Sequence, residues 1–237
     1  MSTCVCENSP EVVRTGGKLF NESGVQDDWT VELDVCLTID ALRGLHEFIA
    51  NQIRREWVRL FHKSLSDCQI AVVGFGSVGQ RIKKNLSGFA VDVIAFTRSG
   101  SNDSKKMFDL DAELPHLDVV ILAMPLNEES SGLFNAKKLA LMKDGALLVN
   151  VARGSIVDTD ALVAELNSGR LLAALDVTDP EPLPLGHPLW KAKGLLISPH
   201  VGGDSTAFEP RFRKLLEEQF RRLAAGERLL NIVYEDS

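Results

Sequence analysis

Hydrophobic and polar positions change their rhythm near Asp67. Beyond it, short apolar runs alternate with amphipathic stretches, a pattern that predicts a parallel sheet covered by helices on both faces. The predicted strands are Ile70–Val73, Val91–Phe96, Val119–Leu122, Leu147–Asn150, Leu172–Leu175 and Leu195–Ser198. Helices are best marked at Ser77–Leu86, at Ala136–Met142, and at Thr159–Ser168, which is entered after Asp158 and closed by Gly169. A last amphipathic helix is expected from about Thr206 to Ala225, ended by Gly226.

Ahead of the sheet, Val31, Val35, Leu42, Leu45, Ile49, Ile53 and Trp57 recur at near-helical spacing. They predict one long helix between Trp29 and Leu60, with a possible break near Gly44. Its stripe either packs on the following domain or also contacts a second subunit, and Trp57 is expected to pack in both cases. Residues Met1 to about Arg14 are polar, lack a period and are expected to be poorly ordered.

Composition narrows the class. A net charge of −7, from 26 basic and 33 acidic residues, argues against gripping nucleic acid or an anionic membrane. Cys4, Cys6, Cys36 and Cys68 show neither disulfide-framework nor metal-ligand spacing, so a reducing, cytoplasmic setting without a metal site is expected. No apolar run approaches the length of a membrane span.

The first candidate chemistry lies in Ile70-Ala71-Val72-Val73-Gly74-Phe75-Gly76-Ser77-Val78-Gly79. A strand runs into a glycine turn and then a helix, the setting of a dinucleotide site. Gly74 suits the tight turn, Gly76 the close approach of a pyrophosphate, and Gly79 close helix–strand packing. The pyrophosphate would sit on the free N–H groups of the helix start. The plainer alternative is a tight connection that binds nothing. About 20 residues further on, where an acidic residue would take a ribose hydroxyl, the chain has Thr97-Arg98-Ser99. A guanidinium and two hydroxyls suit a 2′-phosphate, so NADP(H) is expected over NAD(H). An ordinary solvent-facing arginine is the other reading of Arg98.

Three clusters follow predicted strands: Asn150-Val151-Ala152-Arg153-Gly154, Asp176-Val177-Thr178-Asp179-Pro180-Glu181-Pro182, and Ser198-Pro199-His200-Val201-Gly202-Gly203. In open α/β sheets such strand ends meet at one crevice. Together with the glycine turn, Leu122-Ala123-Met124-Pro125-Leu126, Ser155-Ile156-Val157-Asp158 and His187-Pro188-Leu189-Trp190, they make the chain resemble the D-isomer-specific 2-hydroxyacid dehydrogenases from about Gly17 to Val233. The Thr97-Arg98-Ser99 variant is similar to that of the family's NADPH-using glyoxylate and hydroxypyruvate reductases.

The resemblance implies a Rossmann-type, doubly wound parallel sheet in an α/β fold, and a catalytic set of Arg153, Glu181 and His200. The chemistry of these residues agrees. A histidine can supply the proton that a reduced keto oxygen needs, a neighbouring carboxylate favours its charged form, and an arginine can bind a 2-oxoacid carboxylate. Taken singly, each also reads as a strand-end ion pair, a solvated loop carboxylate or a turn residue. Besides Gly74, Gly76, Gly79, Thr97, Arg98 and Ser99, cofactor contacts are implied for Ser77, Val78, Ala123, Pro125, Ala152, Asp176 and Gly202. His46, His62, His116 and His187 are assigned to structure or surface.

The family's substrate-facing domain is expected to be largely missing, with residues 1–66 its remnant plus the crossover helix. Residues 67–204 would form the dinucleotide domain, and 205–237 a return helix and tail. Two functions are therefore expected. The first is a reductase of small 2-oxoacids, impaired by the missing lid and dimerising through the 29–60 helix. The second is a nucleotide-binding remnant without turnover that serves as an interaction or regulatory subunit.

Overall fold

The structure, a computed structural model, describes residues 19–22, 24–100 and 103–234. The expectation for Met1–Arg14 lies outside them. In chain order the principal elements are β1 (Leu19–Phe20), α1 (Asp27–Arg43), α2 (Leu45–Arg54), β2 (Ile70–Val73), α3 (Ser77–Leu86), β3 (Val93–Thr97), β4 (Ser104–Lys106), α4 (Leu110–Glu113) and β5 (Val119–Leu122). They continue with α5 (Ala136–Leu141), β6 (Leu147–Asn150), α6 (Thr159–Asn167), β7 (Leu172–Leu175), β8 (Leu195–Ile197), α7 (Phe208–Ala225) and β9 (Ile232–Tyr234). The chain divides into two compact units. One spans Val31–Val201, and the other joins the segments before and after it.

The larger unit holds a seven-stranded parallel sheet in the order β4-β3-β2-β5-β6-β7-β8. From β2 the chain steps outward to β3 and β4, then returns to lay β5 on the other side of β2. This reversal makes β2 and β5 the two sides of a topological switch point, where such sheets bind ligands. Successive residues of β2 enter opposite cores: Ala71 and Val73 join one with Phe96, Val120 and Leu148, while Ile70 and Val72 join the other with Val93, Val119 and Val149. A strand buried on both faces must be apolar throughout, which is why these runs were visible without alternation. At the opposite, amino-terminal end of the sheet, buried Asp118 accepts hydrogen bonds from Lys63 (2.6 Å), Lys143 (2.8 Å) and Gln69 N–H (3.0 Å). Burial pushes its carboxyl up, but these three donors outweigh that effect and hold it at about 2.

α1 packs Val31, Leu37, Ala41 and Leu42 into the second core. The same helix also buries Asp34 and Thr38, whose side-chain oxygens have no hydrogen-bond partner. Burial alone pushes the Asp34 carboxyl up to about 8.

The expected long helix is divided at Gly44, which adopts φ +63 and carries the His62 ring where its Cβ would stand. α2 ends at Arg54, and Arg55 turns left-handed at φ 60. Trp57 therefore lies beyond the helix and does not pack on the following domain: it is 97% exposed and Phe61 is 90% exposed, so of the two expected partners the chain's own core is not the one it meets. The periodicity continues past Arg54 although the helix does not. β3 begins two residues later than expected and includes Thr97, whereas β4, polar and three residues long, was not expected at all.

In the smaller unit, β1 pairs antiparallel with β9. Trp29 meets Phe208 edge-on with ring centroids 6.3 Å apart, and Arg211 stacks over Trp29 while pairing with Asp28 at 3.1 Å. Gln219, buried on α7, exchanges two 2.8 Å hydrogen bonds with the backbone of Leu230 after the helix closes at Gly226.

Candidate active site and dinucleotide pocket

β2 delivers the glycine turn to the switch point. Gly74 takes φ +101, and a Cβ there would stand 2.5 Å from the Ala123 carbonyl oxygen, so the loops after β2 and β5 touch through a position open only to glycine. A Cβ on Gly79 would stand 2.1 Å from the Gly74 oxygen, which explains how closely α3 meets the turn. Gly76 differs, because a Cβ there would meet nothing within 4 Å. It precedes α3 without giving the helix a side-chain cap. An open cradle beside an uncapped helix start fits a pyrophosphate, which would take up N–H groups of the first turn.

A cavity of about 490 Å³ adjoins this turn and is lined by Gly74, Gly76, Thr97, Arg98, Pro125 and Glu129 among others. Ser99 also lines it. Thr97 Oγ1 lies 2.7 Å from Ser104 Oγ and accepts from Gly100 N–H at 3.0 Å, so its hydroxyl shapes the loop after β3. Arg98 pairs with Glu129 at 2.9 Å. Glu129 was not anticipated. Its position after a strand end was a signal, but the partnership requires the strand order. Val78 packs against the second core instead of lining the cavity, and Ala152 is buried in the first.

The three downstream clusters all follow strands of this same sheet. After β6, Asn150 Oδ1 accepts from Ala152 N–H at 3.0 Å while its Nδ2 donates to the Arg153 carbonyl at 2.9 Å, folding the turn that presents Arg153. The Arg153 guanidinium donates to the Ala152 carbonyl. Gly154 lies so close to the next loop that a Cβ would fall 2.0 Å from the Thr178 carbonyl oxygen, which brings the Arg153 turn against the loop carrying Glu181. After β7, buried Asp176 accepts from Ser198 Oγ (2.6 Å) and Val201 N–H (3.0 Å), and its carbonyl accepts from His200 N–H (2.8 Å). The carboxylate expected to touch a cofactor thus holds the histidine turn in place.

His200 sits at φ +54, an uncommon conformation for a non-glycine residue and one that such a clamp can enforce. Its Nδ1 is hydrogen-bonded to Glu181 Oε1. The geometry therefore joins Glu181 to His200, Arg153's turn to Glu181's loop, and the glycine turn to Arg98. Gly202 belongs to the smaller unit, where its carbonyl accepts from Thr30 Oγ1 at 2.9 Å.

A family model described as "D-isomer specific 2-hydroxyacid dehydrogenase, NAD binding domain" matches residues 35–202. The chain belongs to this family. As a 2-hydroxyacid dehydrogenase it is an oxidoreductase built on a Rossmann-type NAD-binding fold. A glyoxylate reductase of Thermococcus kodakarensis is 38% identical over 236 residues, covering 92% of this chain and 69% of that protein. The human protein named glyoxylate reductase/hydroxypyruvate reductase is 32% identical, covering 81% and 62% respectively. Among solved structures, a family member from Xanthobacter autotrophicus Py2 in complex with NADPH and MES matches with a TM-score of 0.78 at 28% identity, covering 92% of this chain and 91% of that one. The two curated relatives carry enzyme names, so the reading as a subunit without turnover gains no support.

Among the described residues, no helix is long and apolar enough to cross a membrane, and no group of three or more His, Cys, Asp and Glu side chains could hold a metal ion.

Proposed function

We propose that this 2-hydroxyacid dehydrogenase reduces a small 2-oxoacid of the glyoxylate or hydroxypyruvate type with NADPH. The carrying observation is the His200–Glu181 pair, held at an uncommon backbone conformation in the unit that also bears the glycine turn. A bound nicotinamide supplies the hydride accepted by the keto carbon. Because Nδ1 of His200 faces Glu181, Nε2 is the nitrogen that gives a proton to the developing alkoxide, while Glu181 keeps the ring oriented. Arg153 binds the substrate carboxylate and draws charge from the carbonyl. Gly74, Gly76 and Ser77 take the pyrophosphate, and Arg98 with Ser99 takes the 2′-phosphate. The solved relative with NADPH and the names of the reductases support this choice of cofactor and substrate.

In this reading β1 and the start of α1 belong to a substrate-side domain. The exposed stripe of Leu45, Ile49 and Ile53, with Trp57 and Phe61 beyond it, is covered by a second copy of the chain.

The test is NADPH oxidation with glyoxylate and with hydroxypyruvate, alongside cofactor binding by fluorescence and a parallel series with NADH. His200→Gln is expected to lower kcat at least about 100-fold with cofactor affinity near wild type. An unchanged kcat would refute the proton-donor role, and equal use of NADH and NADPH by wild type would refute the cofactor preference.

A further inference from the structure

Arg98 and Glu129 come from loops on opposite sides of the glycine turn. Arg98 follows β3, Glu129 follows β5, and those strands flank β2. Both residues line the 490 Å³ cavity, and their side chains meet at 2.9 Å. Each is held on a braced loop. Asn127 Oδ1 accepts from the N–H groups of Glu129 (3.0 Å) and Ser130 (2.9 Å), and Ser130 Oγ donates to the Pro125 carbonyl at 2.8 Å. On the other side, the Thr97, Gly100 and Ser104 contacts fix the turn that carries Arg98. A carboxylate therefore stands beside Arg98 in the cavity, although the end of β3 lacks one. It reaches that place from the neighbouring strand.

Resting on the reading that this cavity takes a nicotinamide dinucleotide, we propose that Glu129 sets how strongly the site discriminates between 2′-phosphorylated and 2′-hydroxyl cofactors, by competing with the 2′-phosphate for Arg98. The two side chains are 84% and 63% exposed, so the ion pair between them is weak and exchangeable. A 2′-phosphate, carrying nearly two charges and three acceptor oxygens, can take the guanidinium from Glu129, but it must do so against the displaced carboxylate. A ribose 2′-hydroxyl meets no such opposition, because Glu129 can accept a hydrogen bond from it while Arg98 offsets the negative charge. Arg98 favours the phosphate, and Glu129 limits how far that preference goes. The site is thereby tuned between the two cofactors by one cation and one anion from different loops.

The experiment uses 2′,5′-ADP and 5′-AMP as probes of the adenosine end, titrated calorimetrically into the full chain as wild type, Glu129→Gln, Arg98→Met and the double variant. All four are first checked for an unchanged thermal unfolding midpoint. Glu129→Gln is expected to tighten 2′,5′-ADP by about tenfold while 5′-AMP is unchanged or weaker. In the Arg98→Met background the same substitution is expected to have a clearly smaller effect, and added salt should shrink the wild-type discrimination. An unchanged ratio of the two probes in Glu129→Gln, or equal effects of that substitution in both backgrounds, would overturn the inference while leaving the cofactor reading intact. Failure of both probes to bind wild type would overturn both.

Discussion

Among the described residues, Asp34 is a carboxylate whose surroundings directly oppose its chemistry. It lies on the face of α1 that packs Val31, Leu37 and Leu42 into the core, fully buried, with both carboxyl oxygens unpartnered and the Thr38 hydroxyl equally alone one turn later. With its carboxyl pushed up to about 8, the folded state binds a proton that the unfolded chain releases near the ordinary value of 3.8. Between those values the native state holds more protons, so stability falls as pH rises, by at most about 1.4 kcal/mol per pH unit. Asp34→Asn, which does not titrate, should match wild type at about pH 3, below the unfolded value of 3.8, and unfold at a higher temperature at about pH 8.5. Thermal melts showing the same difference between the two proteins at both pH values would contradict this. The sequence placed Asp34 on the helix but could not reveal its burial, because the pattern of Val31, Val35, Leu42 and Leu45 is compatible with several rotations of the stripe. Glu129 was hidden for a different reason: its pairing with Arg98 follows from β3 and β5 lying on either side of β2. The clusters that hold Arg153, Glu181 and His200, by contrast, stood out because each follows an apolar run, and the family resemblance singled out these three residues within them.

At the scale of elements, the β2–α3 connection separates two duties that glycines often share. Gly79 is packed, with the Gly74 oxygen where its Cβ would stand, whereas Gly76 opens on free space at an ordinary φ of −74. Gly79→Ala should therefore cost about 1–3 kcal/mol or more of stability by overpacking. Gly76→Ala should leave the unfolding midpoint unchanged and weaken dinucleotide binding by about tenfold or more, since the added methyl fills the cradle. Denaturant unfolding and cofactor titration of both variants check this; loss of stability in Gly76→Ala would show that the cradle is structural. Elements buried on both faces were the legible ones. β2, β5, β6 and β7 begin and end at the residues predicted for them. α2 misled because its spacing of Ile49, Ile53 and Trp57 runs on after Arg55 has already turned left-handed.

For the molecule as a whole, the proposed second copy is tested at the exposed segment after α2. An apolar stripe ending in a nearly bare tryptophan and phenylalanine is costly to leave in water, and a second copy offers the same stripe in a two-fold arrangement. Light scattering after size exclusion should give twice the chain mass for wild type, and Trp57→Asp with Phe61→Asp should shift it to the monomer. A wild-type monomer at micromolar concentration would rule out this interface.

β4 completes the sheet on one side with only three residues, and two of them are the exposed Lys105 and Lys106. An open sheet edge is a template on which a foreign strand can grow, but this one offers little length and places positive charge along it. The edge that contributes least to the core thus protects the protein from its own copies at high concentration. Replacing both lysines with valine would turn a quiet border into a seed for aggregation.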